Sequence, residues 1–322
     1  MKSNFPFFLF LLVISLLLGG CGNQSTTNSE NKSPEEGSIS ISGAFALYPL
    51  AVKWAEDYQK LHPGVRIDIS AGGAGKGITD VLSGMVDIGM VSRELGREEI
   101  IKGAFPVVVA GDAVVATINK NNKYLDILMQ KGLKKSDFEK IFLSGKPITW
   151  NELINSSAGE KVGVFTRSDA CGAGEIWGSF LGKNQEALKG VGVFGDPGMA
   201  DAIKKDQWSI GYNNIVYAYD SRTRKPFSNI AVVPLDLNNN GKIDSEENYY
   251  GSLDTLMNAI KTGKYPSPPS RSLYFVTKGK PQNPVLLAFL NWVLTEGQKY
   301  TREAGFVELS DEKLKGIKQK LI

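Results

Sequence analysis

Three short runs in this chain are suited to presenting backbone amides to something negative. They are Ser42-Gly43-Ala44-Phe45-Ala46-Leu47-Tyr48-Pro49, Ala71-Gly72-Gly73-Ala74-Gly75-Lys76-Gly77 and Asp169-Ala170-Cys171-Gly172-Ala173-Gly174. Each stands between a strand-like and a helix-like pattern. At a helix start the first N–H groups have no intrahelical partner and lie at the positive end of the dipole, so such a loop suits an anion. One glycine-rich turn means little, since most only reverse the chain. Three carry more weight, with Arg93 in Val91-Ser92-Arg93 and Arg167 in Thr166-Arg167-Ser168 close by in sequence. A guanidinium fork grips a tetrahedral oxyanion through paired, charge-assisted bonds, although the same arginines would serve equally as surface ion pairs. We expect an oxyanion clamp with Arg167 as its principal charge.

A second chemistry is written at Asp236-Leu237-Asn238-Asn239-Asn240-Gly241-Lys242-Ile243-Asp244-Ser245-Glu246-Glu247, which fits the twelve-residue EF-hand loop throughout. Asp236, Asn238 and Asn240 would offer side-chain oxygens, Lys242 its carbonyl, Asp244 a direct or water-borne contact, and Glu247 two oxygens to Ca²⁺. The alternative is an Asn-rich acidic turn. Only one such loop occurs, so the expected role is a structural staple.

The elements that must position these loops follow an α/β rhythm from Ile39 onward. Ile39 and Ile41 open a strand; Pro49 suits a first helical position, and Leu50, Trp54, Tyr58 and Leu61 recur at helical spacing. Val65, Ile67 and Ile69 alternate as a strand, Ile78, Val81 and Leu82 begin a helix, and Val86, Ile88 and Met90 form the next strand. Residues 105–110 and 113–118 read as two β runs split by Gly111-Asp112, and residues 272–277 and 285–294 as a strand and an apolar helix.

Ahead of the fold, Lys2 precedes an apolar stretch over residues 5–18, too short to span a bilayer as a mature helix. Leu18-Gly19-Gly20-Cys21 then resembles a bacterial lipobox, which predicts cleavage after residue 20 and acylation of Cys21. Residues 22–38, polar and without apolar period, are expected to be a leash. No later run is long and apolar enough to span a membrane, so the lipid is the expected anchor.

About 300 residues remain, enough for two cores. With 37 Lys+Arg against 34 Asp+Glu, the balance is too even for a nucleic-acid binder. Cys171 has no free partner once Cys21 is acylated. The lone histidine, His62, ends a helix before Pro63-Gly64, which excludes His-based triads and multi-His metal sites. Enzymatic chemistry is not expected, since it needs an activated nucleophile or a metal holding water.

Taken together, residues 39–309 resemble the phosphate-binding proteins of ABC importers, within the two-lobed periplasmic binding proteins. The landmarks are Ser42-Gly43 through Tyr48-Pro49-Leu50, the loop at residues 72–78, Val86-Asp87-Ile88-Gly89 leading to Ser92-Arg93, and Ile141-Phe142-Leu143-Ser144-Gly145 with Trp150-Asn151. Arg167-Ser168-Asp169, Ser270-Arg271-Ser272-Leu273-Tyr274 and Ala304-Gly305-Phe306 follow.

The resemblance implies a class II α/β fold of two lobes joined by two crossover strands, lobe I being residues 39–111 and 270–322 and lobe II residues 112–269. It implies a ligand-lining set of Ala46, Leu47, Ala74, Gly75, Lys76, Ser92, Arg93, Arg167, Cys171, Gly172 and Ala173. It implies an exported, lipid-anchored monomer, facing the periplasm or the cell exterior, that hands a small oxyanion to an importer permease.

The chain departs from the family's pattern at four hydroxyl positions, which are Ala46, Ala74, Cys171 and Ala173 here, and it lacks an Asp beside Arg93. A thiol donates only weakly. An adhesion or signalling lipoprotein on the same fold therefore stays open beside the importer role.

Overall fold

The computed structural model describes residues 36–154 and 159–321. Its nine strands are β1 (Gly37–Gly43), β2 (Val65–Ala71), β3 (Ile88–Val91), β4 (Ala104–Asn119), β5 (Gly163–Arg167), β6 (Val191–Val193), β7 (Ser209–Asn214), β8 (Ile230–Val232) and β9 (Ser270–Lys278). They are ordered β2-β1-β3-β9-β4-β7-β5-β6, with β8 also on β4. β1 pairs in parallel with β2 and β3, and β5 with β6 and β7, through connections that carry helices. The contacts of β4 with β7, β8 and β9 are antiparallel.

The two β runs expected around Gly111-Asp112 are one sixteen-residue strand, β4. β9 pairs with it from Ala104↔Lys278 to Ala113↔Ser270, slipping register only between Val108 and Ala110. Gly111 also exchanges both backbone bonds with Val307, at 2.8 and 2.9 Å. Gly-Asp breaks strands where the ladder ends, and here partners on both sides keep it intact. The strand expected from Val86 begins at Ile88; just before it, Asp87 N–H bonds Ser40 O at 3.0 Å while its carboxylate accepts from the Ser40 amide and hydroxyl, tying the strand's start to β1.

Buried side chains gather into two cores along this ribbon, making the fold two-lobed. One core holds Ile39, Trp54, Val107, Val109, Phe275 and Phe289; the other holds Val114, Phe138, Trp150, Trp177, Tyr212 and Tyr265. The change of core along β4 falls between Ala110 and Ala113.

Local sequence explains how helices reach the seam between the lobes. In the helix Gly172–Phe180, Trp177 is fully buried, stacked on Tyr212 at 5.7 Å and edge-on to Phe138 and Phe142. That burial is worth roughly 2–3 kcal/mol and holds the helix's N-terminus in place. The helix Tyr48–Leu61 starts with Pro49 in its first turn, pins Trp54 Nε1 to the Gly297 carbonyl at 2.7 Å, and is capped by His62, whose ring stacks on Tyr58. His62 is thus structural, as its setting predicts.

Candidate functional site

The three small-residue loops meet at the seam. β1 ends at Gly43, whose φ of +131° only glycine adopts readily. Ala44 N–H then bonds Met90 O at 2.9 Å, turning the chain so that Phe45 projects toward the second lobe. Tyr217 Oη donates to Phe45 O at 3.0 Å, and the Phe45 ring sits edge-on to Phe194 at 5.9 Å and 6.0 Å from the Arg167 guanidinium carbon.

The second loop turns at Gly73, φ +91°, into the helix Ala74–Ser83. That helix lies almost on β1 and β3, for a Cβ on Gly77 would stand 2.6 Å from Met90 O and 2.9 Å from Gly43 Cα. Across the seam, Gly75 N–H donates to Ala170 O at 3.3 Å, and Gly172 presses so closely on Ser92 that a Cβ there would collide with its carbonyl and hydroxyl oxygens. Ala46, Leu47, Ala74, Ser92, Cys171, Gly172 and Ala173 are all buried.

The cations are committed within the protein. Arg167, with a side chain 1% exposed, places Nε 2.8 Å from Asp169 Oδ1, Nη2 2.6 Å from Asp169 Oδ2, and Nη1 2.8 Å from Asp196 Oδ2. Arg93 is held in a fork by Glu99 at 2.7 and 2.9 Å, and Lys76 turns back along its helix to Asp80, which also receives the Ser42 hydroxyl. The geometry differs from the expected free guanidinium, because nearby carboxylates satisfy each cation more cheaply than desolvation without a counterion.

Electrostatics follow. Burial lowers the affinity of Arg167 for its proton, but Asp196 and Asp169 outweigh it and keep the guanidinium charged. Burial pushes the Asp196 carboxyl up against the pull of Arg167. Burial also works upward on Asp169, yet its bonds to Arg167 hold it below the usual range.

Several contributors were not singled out from sequence. Asp196 opens the helix Gly195–Lys205, and Asn214 bonds both Asp196 and Arg271. Arg271 on β9 pairs with Asp112 on β4 at 2.9 Å, at their register positions. A polar chain thus runs from the crossing strands to the seam. The readable signals were Gly195-Asp196-Pro197, a helix start, and an arginine inside the apolar run of β9.

Cys171 caps its helix, Sγ accepting from Gly174 N at 3.2 Å. Burial pushes its thiol up to about 12, overriding Arg167 and the helix end that would favour a thiolate. A buried, protonated thiol is a poor nucleophile, so at pH 8 the native protein should react with Ellman's reagent only as it unfolds. Labelling of the folded protein at the rate of an unfolded control would overturn this.

Beside the seam opens a groove of about 640 Å³, lined by Gly75, Arg93, Cys171 and Glu94, Glu98 and Glu175 among others. Residues 236–247 lie far along the chain on turns after β8, flanked by no helix pair. Cys21 lies outside the described residues. Among the described residues no helix is long and apolar enough to cross a membrane.

Comparison with known proteins matches this architecture. A family model described as a PBP superfamily domain covers residues 28–296. The phosphate-binding protein PstS of Xylella fastidiosa (strain Temecula1) is 27% identical over 98% of both chains. PstS of Methanocaldococcus jannaschii is 29% identical over 94% of this chain and 91% of its own. Among solved structures, a protein from Clostridium perfringens assigned as a phosphate ABC transporter substrate-binding protein, with phosphate bound, superposes with a TM-score of 0.69 at 23% identity, covering 85% of this chain and all of that one.

Proposed function

We propose that this chain, which belongs to the PBP superfamily, is the capture component of an ABC importer and takes phosphate, or a closely related oxyanion, between its lobes. It binds its ligand without transforming it. The observation that carries this reading is the meeting of two helix N-termini and the Phe45–Ala46 turn at one seam beside the buried Arg167. Amides at such positions donate to an anion without needing a free cation. Micromolar binding takes about −8 kcal/mol, on the scale of roughly three to five charge-assisted bonds of about 1.5–3 kcal/mol each.

The paired carboxylates favour one ligand chemistry. Asp169 Oδ2 lies at the seam, 3.2 Å from where a Cβ on Gly73 would stand. A carboxylate there repels a fully deprotonated anion but accepts a proton from an oxyanion that still carries a hydroxyl. Phosphate has such a hydroxyl at neutral pH; sulfate does not.

Calorimetric titration should therefore give a saturable signal with phosphate that excess sulfate does not suppress. Silence with phosphate, sulfate, molybdate and tungstate alike would overturn the reading. It would favour a non-transport binder on the same fold, toward which the Phe45 ring at the seam and the internally paired cations point.

The remaining parts of the assignment belong to the same proposal. Residues 1–20 are a leader, Cys21 the lipid-bearing terminus and residues 21–36 a tether, two residues shorter than expected because β1 already pairs with β2 at Gly37 and Ser38, leaving an extracytoplasmic monomer that docks on its permease. Residues 37–111, with β1 entire, and 270–322 form lobe I and residues 112–269 lobe II.

A further inference from the structure

Among the described residues, five acidic side chains are buried: Asp80, Asp112, Asp196, Asp236 and Glu247. The first three each have a partner cation, namely Lys76, Arg271 and Arg167. Asp236 and Glu247, 2% and 5% exposed, have no Lys or Arg nitrogen in ion-pair range among the described residues. Lys242 pairs with Asp244 at 2.8 Å and Lys264 with Glu246, both at the surface. The partners of Asp236 and Glu247 are backbone amides alone, Asn240 and Gly241 N–H on Asp236 and Leu237, Asn238 and Asp244 N–H on Glu247, which stabilise the two charges without neutralising them, so a cation from outside would supply the missing counter-charge. These two residues are the first and twelfth of the calcium-loop spacing, the positions that bring a carboxylate oxygen and a two-oxygen ligand.

We infer that residues 236–247 form a structural Ca²⁺ site that fastens a corner of the second lobe, independently of the oxyanion reading. Asp236, Asn238, Asn240, the Lys242 carbonyl, Asp244 and Glu247 would hold the ion. Among the described residues no three His, Cys, Asp or Glu side chains already stand gathered for a metal, and Asp244 is held by Lys242, Asn238 and Asn240, so binding would draw these donors inward. The donors are hard oxygens only, the set calcium takes, without the nitrogen or sulfur of a zinc site. Gly241, at φ +79°, makes the sharp turn that the pattern requires at its sixth position.

The loop is tied to a separate part of the lobe. Ile243 N–H bonds Gln130 O at 2.7 Å, Asp236 N–H bonds Leu133 O at 3.0 Å, and Leu235 bridges Leu133. A cation bound there would clamp the exit of β8 onto the turn after the helix Leu125–Lys131. No helix pair flanks it, so binding fastens this corner and opens no groove.

The test uses the full chain treated with chelator, followed by calorimetry and thermal unfolding with and without CaCl₂. Extracellular modules bind Ca²⁺ at about 0.1–1 mM, so titration to about 5 mM should saturate the site. A tenfold excess over Kd should raise Tm by about 2–4 °C. Magnesium, which demands tighter octahedral geometry, should do less.

Glu247→Gln keeps the side-chain shape but turns the oxygen that accepts from Asp244 N–H into a donor, so it should fold with a modestly lower Tm in chelator while losing the calcium-dependent rise. Asp236→Asn should behave likewise. Identical melting curves in chelator and in calcium, with no binding heat, would overturn the inference, as would a full calcium response in Glu247→Gln. Phosphate titration in chelator reads the seam separately, so failure of one reading leaves the other standing.

Discussion

Gly172→Ala should leave the protein folded yet weaken its ligand binding about 10–100-fold, on an overpacking cost of about 1–3 kcal/mol. The added methyl collides with Ser92, a residue of the opposite lobe. Within its own helix an alanine at this position costs nothing, since alanine is the better helix former. The penalty therefore falls on the closed arrangement alone, and the equilibrium shifts toward an open one.

Gly77→Ala provides the contrast. Its methyl would meet Met90 O and Gly43 Cα inside a single lobe, so it should lower Tm in every arrangement. Calorimetry and small-angle scattering separate the two cases. Gly172→Ala should show an unaltered Tm without ligand and no compaction on adding phosphate. A variant that binds and compacts like its parent would show that the lobes do not close on this contact.

The second large effect is on stability. Arg167→Met should destabilise the fold by about 3–5 kcal/mol, a fall in Tm of roughly 10 °C. The arginine neutralises Asp169 and Asp196, and its removal strands the half-buried Asp169 and the buried Asp196, 27 residues apart in the chain. Adding Asp196→Asn to Arg167→Met should recover part of the loss, because one stranded charge disappears. A single variant within about 1 kcal/mol of the parent would mean that the buried pairs contribute little.

The two lobes, their helix starts and the meeting of three loops were readable because apolar period and glycine placement are local properties. Trp54, Ile39 and Ile41 declare their burial in sequence alone. The partners of the cations were not readable. Arg167 finds Asp196 across 29 residues, and Arg271 finds Asp112 across 159, pairings that only the sheet register brings together. Gly111-Asp112 misled for a related reason. Its turn-forming composition is local, whereas the antiparallel neighbour and Val307 that hold it extended come from the far end of the chain.

That unbroken pairing of β4 with β9 bears on how the molecule can be cut. Connectors between lobes are ordinarily slack segments into which a protease threads the backbone, yet cleavage needs several residues freed from their hydrogen bonds. Here both connectors lie side by side in one ladder, each shielding the other. A first nick will fall on an outlying turn, and the halves will stay joined as a single resistant fragment.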